Sequence, residues 1–466
     1  MKIAVVGQGY VGLVTAAGAA EWGHAVVGAE VDPRRLATLR AGHSPIHEPG
    51  LDELVARHSE AGRLTFTDRA AVAAGDADLV FVAVPTIGAA GEWDLEPMWR
   101  CLAAMVPAMP DDAALVIRST CPPAMVRDIA AAAQKIRADA GCPPLAVLFN
   151  PEFTREATAL RDFLRPDRVI IGVAHDPQQI GESLLRRFYG DANAPILVLD
   201  AVDAMLSKLG ANLFLATKIS FANELAALCD VYGARIERVV EGMSYDSRIG
   251  GSFLRAGIGF GGSCLPDQVS MTVVDAEERG VETPLLAAVG LVNSRQRTMF
   301  VDRLEAAVGD LNDRRIALLG LTFKPNTDDL RAAPSLDIAT DLIARGAEVV
   351  AFDPMPAARE RAAMLIPGLQ VVDTALSAVS GADAIGLLTE WPECVALPWD
   401  VVASLVDGRV IVDGRNAIDP EVVAAAGFEY IGFGRGRLTL EPGRVGVGVM
   451  DVEATRLGQA IVVGES

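Results

Sequence analysis

Cys264 lies in GFGGSCLPDQV, among glycines and small residues and just before a proline where the pattern predicts a helix to begin. A thiol placed there can serve as a nucleophile, because a helix start favours thiolate and the bare backbone leaves room for a substrate. The alternative is a small packing residue, the commoner fate of a lone cysteine. Lys208 and Asn212 in KLGANLFLATKISFANE stand one helical turn apart, so a cation and an amide share a face. Aimed at one point they make an oxyanion clamp; otherwise they are a solvated lysine and an ordinary polar position. Glu152 and Glu156 bracket the centre of NPEFTRE. On a helix the pair would share a face and hold a water, whereas in a loop both would be merely exposed. Lys324 and Arg331 follow a strand end in GLTFKPNTDDLRAAPSL, a place to neutralise a phosphate or simply a charged surface.

A second constellation opens the chain. Gly7-Gln8-Gly9-Tyr10-Val11-Gly12 joins a strand, KIAVV, to an Ala-rich helix. Such a turn lets a pyrophosphate approach the backbone at a helix N-terminus. Glu30 ends the next strand, AVVGAEVD, where a carboxylate accepts from ribose hydroxyls and repels a 2'-phosphate, so NAD is expected rather than NADP. Arg35 just beyond it stacks on adenine, touches phosphate, or is solvated surface.

These residues need a scaffold, and the pattern supplies one. Strand and helix signals alternate from residue 1, then again after residue 312 through RRIALLGLTF, AEVVAFDP, ADAIGLLTE and GRVIVDGR. Alternation of this kind predicts parallel sheets with helices on both faces. Between the two α/β domains, Asp200 to about Gly233 is free of proline and rich in Ala and Leu, which predicts one long helix, a candidate hinge and dimer spine. Boundaries are expected at 1–199, 200–300 and 301–466. The Gly- and Val-rich tail after Arg435 carries no usable motif.

The 466 residues are 51% apolar, enough for several ordinary cores. A formal charge of -20 disfavours nucleic acid and anionic membrane as partners. The opening MKIAVVGQGYVG lacks the features of a signal peptide, and nothing approaches the ~18 apolar residues of a membrane span, so a cytoplasmic chain is expected. Six scattered cysteines without a C-x-x-C pair read as free thiols. His43, His47 and Glu48 read as loop polar groups rather than metal ligands, and no metal is expected. None of the 5 tyrosines has a lysine four residues on, and all 5 histidines lie at or before His175, which removes two other dehydrogenase chemistries from consideration.

GQGYVGL, SPIHEPGL, IRSTCPP, NPEFTRE, KLGANLFLATKISFANE, DSRIGGSFLRAGIGFGGSC, GLTFKPNTDDLRAAPSLD, LTEWPE and VDGRNAIDP occur in that order. In them the chain resembles the UDP-glucose/GDP-mannose dehydrogenase family over about residues 1–435. The resemblance implies an NAD-binding Rossmann domain, a central helix through which chains pair as a homodimer or higher homo-oligomer, and a second Rossmann-like domain for a nucleotide-sugar. It also implies oxidation of the sugar's primary alcohol to a carboxylate with two NAD used in turn, UDP-glucose being the expected substrate. Carried over by position, Cys264 forms a thiohemiacetal and then a thioester, Lys208 and Asn212 steady the oxyanion, and Thr120 and Glu156 place a water. Gly7, Gly9, Tyr10, Val11, Gly12, Glu30, Arg35, Thr86, Ser119, Thr120, Glu156 and Arg331 would serve NAD. Glu152, Phe153, Thr154, Lys208, Asn212, Arg255, Gly257, Phe260, Gly261, Phe323, Lys324 and Arg415 would line the sugar nucleotide, with Arg248 arriving from a partner chain.

One departure bears on the chemistry. The family usually follows its cysteine with Phe/Leu-Pro-Lys-Asp, whereas Asp267 and Gln268 stand here. An amide accepts no proton at neutral pH. Asp267, Glu156 acting through water, or Lys208 would have to take the proton instead. Asp267 and Gln268 leave a weakly active nucleotide-sugar-binding homologue as the alternative function; Ala157 and Thr154 also replace the commoner Gly and Leu, and with Thr154 beside the sugar site a TDP-hexose, a UDP-N-acetylhexosamine and a GDP-sugar are alternative substrates.

Overall fold

The computed structural model describes residues 1–88, 91–190 and 192–435, together with the backbone of two strands at 437–441 and 444–448. It divides into two compact units. One comprises Met1–Thr217, Phe260–Gly290 and Thr322–Ala333; the other comprises Lys218–Gly259, Leu291–Leu321 and the described chain from Pro334 onward.

The first unit is built on β1 (Lys2–Val6), β2 (Ala25–Ala29), β3 (Leu64–Thr67), β4 (Leu79–Val82), β5 (Ala114–Ile117), β6 (Ala146–Phe149), β7 (Val169–His175) and β8 (Ile196–Asp200). They form an eight-stranded sheet in the order β3-β2-β1-β4-β5-β6-β7-β8. Side chains alternate between two buried layers: Ile3, Val5, Leu79 and Phe81 enter one, Ala4, Val6, Val80 and Val82 the other. Helices cover both faces, which is why these strands read as unbroken apolar runs rather than as alternating ones. β7 departs from the parallel pattern and runs antiparallel to β6. After Phe149 the chain stays at the carboxyl end of the sheet, where Arg118, just past β5, donates to the Asn150 side chain at 2.6 Å. β7 therefore starts at that end and must run back.

The expected long helix is Ala201–Tyr232. A shorter one, Leu265–Glu278, returns to the first unit with Cys264 at its N-cap and a proline in its first turn.

The second unit repeats the architecture with β9 (Arg315–Leu319), β10 (Glu348–Phe352), β11 (Gln370–Val371), β12 (Ala384–Leu387), β13 (Val410–Asp413), β14 (Glu429–Ile431), β15 (Arg437–Glu441) and β16 (Arg444–Gly448), ordered β11-β10-β9-β12-β13-β14-β15-β16. β15 and β16 are an antiparallel addition that the tail's composition did not announce. The rest of that tail, from residue 449, lies outside the described residues.

The likeness extends to single hydrogen bonds. Gly7 N donates to Ala29 O at 2.9 Å, and Gly320 N to Phe352 O at 2.8 Å. Glu30 accepts from the amides of Gln8 (3.1 Å) and Asp32 (2.9 Å). Asp353 accepts from the matching amides of Leu321 (2.7 Å) and Met355 (2.9 Å), and in addition from the indole Nε1 of Trp391 at 3.1 Å.

Candidate active site

The carboxyl ends of β1, β4, β5 and β6 carry the loops of interest, the usual place for a ligand on an open α/β sheet. Gly7 follows β1 with φ 89°, and a Cβ there would lie 2.5 Å from Ala83 O. A Cβ on Gly12 would lie 1.8 Å from Gly7 O, so the helix Tyr10–Glu21 can pack under the turn only with glycine at that position. Over Gly9 the space is open, with nothing within 4 Å of an added Cβ. Glu30 is buried at the end of β2, Val31 beside it is 87% exposed, and Arg35 is exposed on the following helix. Thr86 Oγ1 donates to Thr120 O at 2.6 Å and Ser119 Oγ to Val84 O at 2.7 Å, which leaves both hydroxyl oxygens able to accept.

Of the six cysteines, Cys264 alone is exposed. It is open to solvent, yet the protein packed around it pushes the thiol pKa up; Lys208 opposes that push, and Glu152 and Glu156 add to it. The helix start lies where the sequence put it, but the balance favours the thiol over the thiolate, so the nucleophile needs a proton acceptor. Lys208 is buried and donates to Glu152 Oε1 at 3.2 Å. Asn212 Nδ2 donates to Gln268 Oε1 at 2.8 Å. Both residues do face the cysteine helix or its neighbours from one side of the long helix, but each already has a protein partner.

NPEFTRE is a loop, and yet its glutamates are not merely exposed. Glu152 is buried, and although burial opposes ionisation, Lys208, Thr154 and Arg118 hold its pKa below the usual carboxylate value. Glu156 is the opposite case: burial, then the charge of Asp329, push its pKa up to about 7 against the pull of Arg331 and Lys324. One of its oxygens meets Arg331 at 3.2 Å; the other is buried without a hydrogen-bond partner. Lys324 Nζ donates to the Glu156 carbonyl at 2.7 Å and lies 5.2 Å from the Phe323 ring centre. Asp267 is half-buried, and burial pushes its carboxyl pKa up while Arg331 pulls it down. Phe153 lies under Arg168, 3.6 Å from ring centre to guanidinium carbon. Phe260 and Gly261 are buried in the same unit.

In the second unit Arg415 donates through Nε to Leu388 O (2.7 Å) and through an Nη to Gly259 O (2.9 Å), with Glu390 at 3.6 Å. Gly257 N donates to Asn223 Oδ1 at 2.8 Å, Arg255 is exposed, and Arg248 is exposed while pairing with Asp246. Among the described residues there is no cluster of three or more His, Cys, Asp or Glu groups able to hold a metal ion. No helix among them is long and apolar enough to cross a membrane.

Three family models match in sequence: the NAD binding domain of the UDP-glucose/GDP-mannose dehydrogenase family over residues 1–193, its central domain over 202–295 and its UDP binding domain over 317–420. The chain belongs to this family. A UDP-glucose 6-dehydrogenase of Pseudomonas aeruginosa is 40% identical over 455 residues, covering 94% of this chain and 98% of the relative. A UDP-glucose dehydrogenase from Pyrobaculum islandicum superposes with a TM-score of 0.82 at 36% identity, over 89% of this chain and 94% of that one. A UDP-D-ManNAc dehydrogenase from Pyrococcus horikoshii superposes with a TM-score of 0.81 at 27% identity, over 93% and 99%.

The protein is thus an NAD-dependent nucleotide-sugar dehydrogenase, and the first sheet fits its cofactor: the open space above Gly9 at a helix start accommodates a phosphate, and Glu30 lies at the strand end where a ribose is read. Sequence reasoning missed Arg118, Arg168, Asp329 and Glu48 as members of this neighbourhood. SPIHEPGL did signal that Glu48 belongs to a motif, but its partners are remote in sequence and could not be read from it. Replacing Gly12→Ala should raise the NAD dissociation constant at least about tenfold, roughly 1.4 kcal/mol, because the turn must open to admit the methyl. Fluorescence titration with NADH measures this, and an unchanged affinity would remove the turn from the cofactor site.

Proposed function

We propose that this enzyme oxidises the C6 hydroxymethyl of a nucleotide-sugar to a carboxylate through a thioester on Cys264, with UDP-glucose as substrate. The observation that carries the reading is a single exposed thiol at a helix start under the charges of Lys208, Glu152 and Glu156. UDP-glucose is favoured because relatives 37–40% identical over most of the chain bear that activity in their names. The UDP-D-ManNAc dehydrogenase of the same fold makes an N-acetylated sugar the second reading.

NAD held at the Gly7–Gly12 turn and by Glu30 would supply, twice in turn, the acceptor for the hydrides that leave the sugar carbon; the remaining work falls to side chains. With Gln268 an amide already engaged by Asn212, Glu156 is the carboxylate able to accept a proton near neutral pH. It takes the proton of the substrate hydroxyl in the first oxidation, loses it to solvent, and then takes that of the Cys264 thiol as sulfur bonds to the aldehyde carbon. The carbonyl oxygen then carries the negative charge that Lys208 and Asn212 offset. Loss of the second hydride leaves a thioester. Water positioned by Thr120 and Glu156 attacks it, the carbon–sulfur bond breaks, and the carboxylate departs with the thiol restored. Glu152 pairs with Lys208 at 3.2 Å and so fixes where its Nζ lies. By the family resemblance, Phe153, Thr154, Arg255, Gly257, Phe260, Gly261, Phe323, Lys324 and Arg415 are assigned to the sugar nucleotide. Functionally the chain reads as a cofactor segment (1–199), a pairing segment (200–300) and a nucleotide-sugar segment (301–466).

Pairing is supported by the long helix, on which Leu206 (52%), Phe214 (65%), Phe221 (49%) and Leu228 (50%) are exposed at nearly seven-residue spacing. A homodimer built on that stripe would allow Arg248 to serve the partner's substrate.

Incubation with NAD and UDP-glucose should yield about two NADH per sugar, and Cys264→Ala should lose steady turnover while still binding NADH; one NADH per sugar would remove the thioester. Turnover should rise with pH through about 7, as Glu156 becomes ionised, and Glu156→Gln should abolish that limb and let the acyl-enzyme accumulate in mass spectra. A flat profile would eliminate Glu156 as base. Phe221→Glu should convert the dimer to monomer in light scattering; an unchanged mass would place pairing elsewhere.

A further inference from the structure

Glu156 is followed by Ala157, whose φ of 67° puts an L-residue in the left-handed region. Alanine adopts that conformation only when its surroundings hold it there. Here the Ala157 amide donates to the Tyr10 phenol oxygen at 2.9 Å. The Tyr10 hydroxyl donates in turn to Glu48 Oε2, and Glu48 Oε1 accepts from the Leu160 amide at 3.3 Å. Glu48 is 5% exposed; burial pushes its carboxyl pKa up, while the amides of Leu160, Ala157 and Ala159 pull it down. From the other side Lys324 grips the Glu156 carbonyl. The turn behind Glu156 therefore hangs on a buried carboxylate and on a phenol whose residue directly follows Gly9 of the dinucleotide turn.

We propose that Tyr10 and Glu48 form a latch that holds the strained Ala157 turn and so aims the Glu156 carboxylate, making both of them positioning residues for the proton transfers. This rests on the reading of Glu156 as the base. The same helix start that faces the cofactor phosphate thereby fixes the loop that bears the base. Glycine at position 157 would adopt the turn without strain and would need no latch.

Glu48→Gln and Tyr10→Phe should each lower kcat roughly tenfold to a hundredfold, with KM for the nucleotide-sugar within about twofold. NADH affinity of Glu48→Gln, titrated by fluorescence, should also stay within about twofold. Adding Ala157→Gly to Tyr10→Phe should restore most of the lost kcat, a recovery that general loss of folding would not show. If both single variants keep wild-type kcat while Glu156→Gln is impaired, the latch is wrong and the base stands. Failure of Ala157→Gly to rescue also overturns the latch. Wild-type kcat in Glu156→Gln takes down the base reading and the latch together.

Discussion

A buried ammonium needs a counter-charge, and in this molecule that requirement ties the long helix to the loop after β6. Lys208 is 3% exposed and Glu152 is 8% exposed, so each would pay several kcal/mol of desolvation if left alone. Their 3.2 Å contact, with Thr154 and Arg118 completing the carboxylate's surroundings, fixes the two elements to each other. Asn212, a turn further along the helix, is thereby brought to Gln268, four residues beyond the cysteine. Removing either charge would strand the other, which makes the pair a constraint on geometry more than a source of stability.

Within that frame, neighbouring groups of one type are tuned apart. Cys101 and Cys121 are packed in the first core, and burial pushes their thiols up to about 12, so they are inert. Cys264 is accessible and subject to a nearby ammonium. The glutamates of one loop diverge as well: Glu152 is held as the anion by Lys208, whereas Glu156, beside Asp329, is shifted toward neutrality. Strained backbone gathers in the same stretches. Ala157, Asn326 and Ala332 all have positive φ and lie in NPEFTREA or KPNTDDLRAA, where they turn the chain sharply to present Glu156, Lys324 and Arg331.

The strands were legible because both sheet faces are buried, so KIAVV or LVFV could be little else, and the Gly7 to Gly12 turn because its spacing answers to a steric demand between Gly12 and Gly7 O. The long helix showed itself by the lack of proline from Asp200 to Gly233. What stayed hidden were pairings between remote segments. Nothing near Glu152 in sequence announces that Lys208 will neutralise it, and nothing near Glu156 announces Asp329. Periodicity could not choose between helix and loop for NPEFTRE, and neither option foresaw a loop with buried carboxylates. The reversal of β7 was equally unreadable, because an apolar run such as VIIGVAH carries no signal of the direction in which it pairs with β6.

The two sheets share strand order, turn and strand-end acid, but they differ in one donor. Glu30 answers to two backbone amides and faces a rim with room left above Gly9, whereas Asp353 is fully buried and also takes the indole proton of Trp391. A tryptophan has been set where, in the sister sheet, a sugar hydroxyl would dock. Two copies of one architecture thus differ at the strand-end acid: in the second the indole already occupies a lone pair of the carboxylate, so that group has less left to offer a hydroxyl from outside.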